Sequence, residues 1–282
     1  MGGGAPGAPA AMSEPWLALA IGAGTAGLLG AAAILRPAGP LDRENYAGRT
    51  VPTMLGIALV GGIMAGVFLG RPSRIAMPRA EMVALVAIGG LFAVGTLDDL
   101  VAEGPRGLLG HLRSMARGRP TTGILKLLAG VGAGVAAALA IGGSGVRMAA
   151  AAVLVATSVN LLNALDVRPG RALKTAVLAM VATLPTLWGS GAGAIVAAAV
   201  GAGAGALPYD LRERGMLGDG GSNPLGFVVG LALALVLTTP WLVVAAALAL
   251  VLQVAAETVT LSRLIDAAPP LAWLDRLGRR PA

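Results

Sequence analysis

The chain has 282 residues, of which 56% are hydrophobic and only 12% charged, and its mean hydropathy is +0.80. Because soluble domains carry about 25% charged residues, this composition argues against an ordinary soluble domain and predicts a polytopic membrane protein. The absence of cysteine excludes disulfides and Cys-ligated metals, and the single histidine, His111, excludes a His-rich metal site. The net charge of +7 fits basic cytoplasmic loops, so no nucleic-acid partner is expected.

Residues 1–14 are rich in Gly, Ala and Pro, which predicts a disordered tail, and they lack the basic segment of a signal peptide. From residue 15 the chain predicts an all-α, polytopic transmembrane domain that continues to residue 261. A crossing helix needs about 20 apolar residues. On that basis we expect nine spans, at 16–35, 53–70, 81–97, 122–141, 146–165, 172–188, 190–207, 224–239 and 241–261.

The distribution of basic residues predicts the orientation of these spans. Of the 21 Lys and Arg residues, 17 fall on one side of the nine-span topology. The opposite side has the remaining four, Arg71, Arg74, Arg79 and Arg147. Because cytoplasmic loops are enriched in Lys and Arg, the N-terminus should lie outside and the C-terminus inside the cell. The tail, 262–282, reads as a short amphipathic cytoplasmic helix at the membrane interface.

Asp98 and Asp99 follow the third span directly. Adjacent carboxylates repel each other unless a cation or a proton lies between them. Mg²⁺, which binds through one or two carboxylates together with phosphate oxygens, would satisfy the pair, and hydration of both carboxylates at the membrane interface is the alternative.

Asn160, Asn163 and Asp166 lie three residues apart at the end of the fifth span. This spacing places them on one helical face, where they can contact a shared ligand. Buried amides need partners in lipid, so either a ligand or hydrogen bonds between helices would explain them.

A third polar motif, which precedes the eighth span, reads Leu217-Gly218-Asp219-Gly220-Gly221-Ser222. Its glycines allow backbone amides to approach a phosphate at a helix N-terminus, and the carboxylate adds a ligand for Mg²⁺, although a flexible turn would look the same.

Basic residues lie on the same predicted side of the membrane as the three motifs. Lys126, early in the fourth span, either extends to the interface or holds a lipid phosphate. A basic loop attracts either the membrane surface or a substrate phosphate; it contains Arg106, Arg113, Arg117 and Arg119. His111 is assigned no role.

In this order, the motifs resemble those of the polyprenyl-phosphate N-acetylhexosamine-1-phosphate transferase family, which includes phospho-N-acetylmuramoyl-pentapeptide transferase. The likeness covers roughly residues 36–265. Arg49 to Gly56 is similar to the family's early basic-Pro-Thr-x-x-Gly segment, and Asp98-Asp99 to its paired aspartates. Residues 160–166 are similar to the start of Asn-x-x-Asn-x-x-Asp-Gly-x-Asp-Gly, and residues 218–222 to Gly-Asp-x-Gly-Ser.

The resemblance implies transfer of a sugar-1-phosphate from a UDP-sugar to a polyprenyl phosphate, with Mg²⁺ and release of UMP. It implies Asp219 as the leading Mg²⁺ ligand with Asp99 near it, and Asp98 as the group that deprotonates or orients the lipid phosphate. Lys126 would contact that phosphate. The nucleotide-sugar site would be lined by Asn160, Asn163 and Asp166, and Gly218 and Ser222 are further candidates for substrate binding.

The chain departs from the family at the donor motif. After Asp166 it reads Val167-Arg168-Pro169-Gly170-Arg171, so the second aspartate is missing and two arginines are present. The aromatic residue that often precedes the family's Gly-Asp is Met216 here, and the family's His-containing motif is absent. Arg168 and Arg171 are therefore candidates for binding a phosphate or carboxylate of a different donor.

The sequence thus predicts a Mg²⁺-dependent enzyme of cell-envelope glycan synthesis, such as peptidoglycan synthesis, in the plasma membrane. Its active site would face the cytoplasm, and a homodimer is possible. The alternative is a non-catalytic homologue that binds polyprenyl phosphate or scaffolds other enzymes. A transporter is the third possibility, although transporter sites usually lie near the bilayer midplane.

Overall fold

The computed structural model describes residues 15–35, 39–71, 77–101, 107–119, 121–258 and 261–279. The predicted tail, 1–14, and two of the arginines discussed above, Arg74 and Arg106, lie outside these residues. The described part is an all-α bundle with one short β-hairpin.

A helix coincides with each of the nine predicted spans. These helices are α1 (Pro15–Leu35), α2 (Leu55–Leu69), α3 (Arg79–Val101), α5 (Thr122–Ile141), α6 (Gly145–Leu165), α7 (Arg171–Leu187), α8 (Gly191–Leu211), α9 (Asp219–Val236) and α10 (Thr239–Thr258). Within the described ranges, seven are long and apolar enough to cross a membrane, while α2 has 15 residues and α7 has 17. The protein is therefore a multi-pass membrane protein, and the nine-span count and the orientation stay predictions.

Short polar side chains begin several of these helices. Thr121, Ser144 and Ser190 each accept a hydrogen bond from the backbone N–H three residues later, which satisfies an otherwise unpaired donor of the first turn. Ser190 caps the start of α8 and directly follows Gly189, whose φ is +81°. One helix ends and the next begins there, as the sequence predicts, and the same occurs between α9 and α10.

The centre of the bundle is formed by α8 and α9, which are largely buried. α9 packs against α2, α3, α5, α6, α7 and α8, and α1 packs against α2 and α8. Glycine allows these backbones to approach closely. At Gly201 of α8, an added Cβ would collide with the Leu19 carbonyl oxygen of α1.

Three elements were not predicted as separate structures. β1 (Asp42–Glu44) pairs antiparallel with β2 (Thr50–Pro52), and the Asn45 side chain accepts hydrogen bonds within the connecting loop. α4 (Gly107–Ala116) lies within the predicted basic loop. Strands of three residues are too short to show an alternating pattern, which is why the sequence did not reveal the hairpin.

The prediction of a single helix in the tail was wrong. The tail forms two helices, α11 (Leu261–Ala267) and α12 (Pro269–Arg276). Between them Ala268 is extended, with φ −106° and ψ 104°. A proline ring disfavours helical backbone at the preceding residue, so Pro269 ends the first helix and begins the second.

Candidate active site

Four helices bring the predicted polar residues to the same end of the bundle. Asp98 and Asp99 lie in the last turn of α3, and Asn163 lies in the last turn of α6. Lys126 lies near the start of α5, and Asp219 is the first residue of α9. We call this end of the bundle the motif end.

Glycines hold the motif end together by allowing contact between backbones. An added Cβ at Gly95 of α3 would collide with the Asp219 carbonyl oxygen at the start of α9. A Cβ at Gly56 of α2 would lie 2.7 Å from the Gly221 nitrogen. Because no larger residue fits at either crossing, α2 and α3 fix the position of the first turn of α9.

Asp99 caps the N-terminus of α9. Its Oδ1 accepts the Asp219 N–H and its Oδ2 accepts the Gly220 N–H, both at 3.0 Å. The preceding Gly218 has φ +64°, and an added Cβ there would lie 2.6 Å from the Asp99 carboxylate. The anion-binding helix terminus expected from the glycine-rich motif is thus filled by a carboxylate of the protein itself.

Lys126 lies between two carboxylates from different helices. Its Nζ donates to Asp98 Oδ2 at 3.0 Å and also to Asp219 Oδ2. The other carboxylate oxygen of Asp219 accepts a hydrogen bond from Asn163 Nδ2. The acidic residues of α3 and α9 therefore share one bound cation, the lysine ammonium.

Asn163 and Ser222 complete the network around Asp219. Asn163 Nδ2 lies 3.2 Å from Ser222 Oγ, and the Ser222 hydroxyl donates to the Gly218 carbonyl at 2.9 Å. Ser222 is fully buried, so its hydroxyl needs these partners. The second and third sequence motifs are thus joined by direct hydrogen bonds. Asn160 lies one turn before Asn163 on α6 and is partly buried.

The charged side chains at the motif end fit a divalent cation only in part. With all groups ionised, Asp98, Asp99, Asp219 and Lys126 together have a net charge of −2. Within the described ranges, no three acidic or histidine side chains are grouped as a complete metal site. Mg²⁺ nevertheless uses one or two carboxylates together with substrate phosphates, and the ammonium already marks a cation position between Asp98 and Asp219.

The structure changes which of the two adjacent aspartates is the better candidate for binding a metal ion. Both oxygens of Asp99 already accept backbone hydrogen bonds, whereas Asp98 faces Asp219 across Lys126. The predicted role of Asp99 as a metal ligand stays a prediction, and Asp98 becomes an additional candidate ligand beside Asp219.

Asp166 follows α6 and lines a narrow cleft with Arg168, Asp210 and Met216. Burial raises the pKa of Asp166 well above its ordinary value, and the charges of Asp210, Asp219 and Asp99 raise it further. Asp210, which the sequence did not single out, accepts the Gly170 N–H at 2.9 Å and is almost fully buried.

The C-terminal tail contacts both arginines that follow Asp166, Arg168 and Arg171. Arg171 forms a two-point ion pair with Asp275, at 2.8 and 2.9 Å, and donates to Ser262 Oγ at 2.8 Å. Arg168 lies 3.6 Å from Asp266 and stacks over the Tyr46 ring, 5.9 Å from its centroid. Arg168 thus lines the cleft, whereas the Arg171 guanidinium is directed to the tail.

Arg43, in β1, is a residue that sequence reasoning missed. Its NH2 donates to the Asp99 carbonyl and lies 3.3 Å from the Leu100 carbonyl, so it caps the C-terminus of α3. Only the pairing of the hairpin brings this arginine to the paired aspartates, and no sequence motif marked it.

Comparison of the sequence with protein-family models and with curated proteins finds no match.

Proposed function

We propose that the protein transfers a sugar-1-phosphate from a nucleotide sugar of the UDP type to a polyprenyl phosphate in the plasma membrane. The observation that supports this most directly is the position of Lys126 between Asp98 and Asp219. The three side chains are about 20% exposed, and charged groups largely buried at the ends of membrane helices often mark a functional site. The proposal includes nine spans, an external N-terminus and a cytoplasmic motif end.

In the proposed reaction, an oxygen of the polyprenyl phosphate attacks the phosphorus that bears the sugar. A new P–O bond forms, the bond between the two donor phosphates breaks, and UMP leaves with the electron pair. Asp98 would accept the proton of the lipid phosphate or orient its oxygen. Lys126 would leave the carboxylates to contact the incoming phosphate and offset its charge.

Asp219, with Asp98 or Asp99, would hold Mg²⁺, which when bound would offset the charge of the phosphates. Asn163 orients the Asp219 carboxylate through its hydrogen bond, and Asp99 fixes the helix from which Asp219 projects. On the donor side, Asp166 and Arg168, which line one cleft, would contact the nucleotide sugar.

The test is transfer of radiolabelled sugar phosphate from UDP-N-acetylglucosamine and UDP-N-acetylmuramoyl-pentapeptide into polyprenyl phosphate by purified protein. We expect product with Mg²⁺ and none after chelation. Asp219→Asn, Asp98→Asn and Lys126→Met should each lower turnover at least a hundredfold, since each removes a charged group at the reacting phosphates. Glu44→Gln, which neutralises an exposed carboxylate of β1, is the matched control and should keep full activity.

Full activity of Asp219→Asn together with Asp98→Asn would refute the catalytic assignment. If wild-type protein forms no product but binds polyprenyl phosphate with or without Mg²⁺, the alternative of a non-catalytic lipid-binding or scaffolding homologue is correct. We keep that alternative because both candidate donor-binding arginines, Arg168 in the loop and Arg171 at the start of α7, contact the tail.

A further inference from the structure

Asn223, in α9, is a buried amide without a hydrogen-bond partner among the described residues. The residue is 1% exposed, and neither its amide nitrogen nor its amide oxygen is paired there. It is the only described residue with two buried, unpaired side-chain atoms. Most buried polar groups are hydrogen-bonded, because burying an amide without partners is costly. This amide therefore needs a group that accepts from its nitrogen and binds its oxygen.

Asn223 lies one helical turn after Asp219, on the same face of α9. Residues four apart on a helix share a face, and helical side chains lean toward the N-terminus of their helix. The Asn223 side chain is thus directed toward the turn that contains Asp219, whose carboxylate accepts from Lys126 and Asn163. The amide is therefore directed toward the charged network of the motif end.

In the opposite direction, the same face of α9 is apolar. Phe227, four residues after Asn223, is fully buried. Phe227 and Leu231 line a cavity of about 160 Å³ between α3, α5, α8 and α9. The charged residue of its lining, Glu81, lies in the first turn of α3 and forms an ion pair with Arg71. A partner for the amide must therefore come from the motif end.

A divalent cation at the motif end would satisfy both ends of the amide. Mg²⁺ prefers carboxylate, carbonyl and water oxygens. The amide oxygen can bind the cation or one of its water molecules, and the amide nitrogen can donate to a carboxylate oxygen that Lys126 has left. A neutral amide also adds an oxygen ligand without adding negative charge beside Asp98 and Asp219.

We propose that Asn223 is a further residue of the metal site, where its amide oxygen acts as a neutral donor beside Asp219. The inference rests on the proposed function, in which Lys126 moves away from Asp98 and Asp219. It explains why α9 buries an amide without a protein partner one turn from the charged network.

The test is a titration with Mn²⁺, which prefers the same oxygen ligands as Mg²⁺. Binding to purified full-length protein in detergent micelles is measured by electron paramagnetic resonance, without substrate. Asn223→Ala should weaken Mn²⁺ binding about 10- to 100-fold, as loss of a supporting group at a metal site does. Asn223→Asp, which keeps an oxygen and adds a charge, should bind Mn²⁺ at least as tightly as wild-type protein.

Thr183→Ala is the matched control and should bind Mn²⁺ like wild-type protein. Thr183 is also buried in a membrane helix, α7, but its hydroxyl donates to the Met180 carbonyl at 2.9 Å. The control thus removes a buried polar group that is paired, at a position outside the network around Asp219.

Thermal unfolding with a chelator present separates a role in metal binding from a purely structural one. Asn223→Ala should raise the melting temperature by about 2–4 °C, because it removes an unpaired buried amide. Thr183→Ala should lower it, because it removes a bonded hydroxyl. Asn223→Asp should also lower it, because it buries a further carboxylate without a cation. Added Mn²⁺ should raise the melting temperature of Asn223→Asp most and that of Asn223→Ala least.

Unchanged Mn²⁺ binding by Asn223→Ala, or an equal loss in Thr183→Ala, would overturn the assignment. A lower melting temperature of Asn223→Ala in chelator would also overturn it, since a trapped water molecule would then satisfy the amide. If Asn223→Ala does not fold, Asn223→Asp decides, and a rise with Mn²⁺ no larger than that of wild-type protein contradicts the inference.

These outcomes are distinguishable from failure of the proposed function. If Mn²⁺ binding depends on Asn223 but wild-type protein transfers no sugar phosphate, the metal site stands and the enzyme proposal fails. If wild-type protein transfers sugar phosphate and Mn²⁺ binding is independent of Asn223, the proposed function stands and the assignment of Asn223 is wrong.

Discussion

The ion pair between Arg171 and Asp275 should decide whether the C-terminal tail stays docked. Their side chains are 3% and 4% exposed, and two hydrogen bonds join them. Arg279 adds a second ion pair to Asp275 and donates to the Pro169 carbonyl at 2.9 Å. Lys174 donates to three carbonyls at the end of α12, one of them that of Leu277 at 3.0 Å. Three basic side chains thus hold the tail against the start of α7 and the preceding loop.

Removing one partner of a buried ion pair costs about 3–5 kcal/mol, because the other charge stays buried without compensation. Because about 1.4 kcal/mol corresponds to a factor of ten, Asp275→Asn should shift the equilibrium constant between docked and released tail toward release by about a hundredfold to three-thousandfold. Exchanging both residues, in Arg171→Met with Asp275→Leu, should cost less than either single change because no unpaired charge remains.

The assay is limited trypsin digestion of protein in detergent micelles, with mass spectrometry of cleavage after Arg263 and Arg276. Arg168→Gln is the matched control, since it breaks the other ion pair between loop and tail, with Asp266. The side chains of that pair are 36% and 51% exposed and 3.6 Å apart, so its loss should cost about 0–1 kcal/mol. If Asp275→Asn is cleaved no faster than Arg168→Gln, the reasoning from burial is refuted.

The same ion pair predicts the response of the tail to acid. Burial raises the pKa of Asp275, but the hydrogen bonds and charges of Arg171 and the charge of Arg279 lower it more, so the net pKa lies below its ordinary value. A lowered carboxyl pKa stabilises the docked state above the pKa of the free carboxyl, about 3.9, and this stabilisation is lost as the pH falls through the lower, docked value. Amide hydrogen exchange of α12 should therefore stay slow at mildly acidic pH.

Two further predictions concern the motif end. Gly218→Ala should destabilise the protein by about 1–3 kcal/mol in thermal unfolding and abolish the proposed transfer, because φ +64° is strained for alanine and the new Cβ would contact Asp99. Gly24→Ala, at an exposed position of α1, should do neither, and equal melting temperatures of the two variants would contradict the argument from strain. Asp166→Asn should raise the melting temperature at neutral pH: the raised pKa of Asp166 means that ionisation destabilises the fold as pH rises above the ordinary carboxyl value. If Asp166→Asn raised the melting temperature by a similar amount at acidic pH, where the wild-type carboxyl is protonated, the electrostatic explanation would be wrong.

Much of the helical fold could be predicted because each helix is encoded locally. Apolar runs separated by Gly, Ser and Pro gave the nine helical segments within a few residues, since lipid leaves the backbone few alternatives to an α-helix. The β-hairpin and the break in the tail were missed for opposite reasons. The hairpin is too short to show a pattern, whereas the break in the tail has a local cause in the sequence, Pro269, which disfavours helical backbone at Ala268.

The candidate site was only partly predictable. Asp98, Asn163 and Asp219 were singled out by sequence pattern, and the structure brings them to one network. Arg171 was singled out differently, as a departure from the motif of the resembled family, and its guanidinium binds Asp275 more than a hundred residues later in the chain. A departure from a family pattern marks a position as changed, but it does not identify what the new side chain contacts.

By itself, the sequence determined that this is a helical membrane protein with acidic and amide groups at helix ends, because hydropathy and spacing are properties of neighbouring residues. Only the tertiary structure decided that Lys126 joins Asp98 to Asp219, that Asp99 caps α9, and that the tail binds the loop after α6. These contacts depend on helix crossings at which Gly56 and Gly95 allow backbones to touch, and such distances are set by packing across the whole bundle.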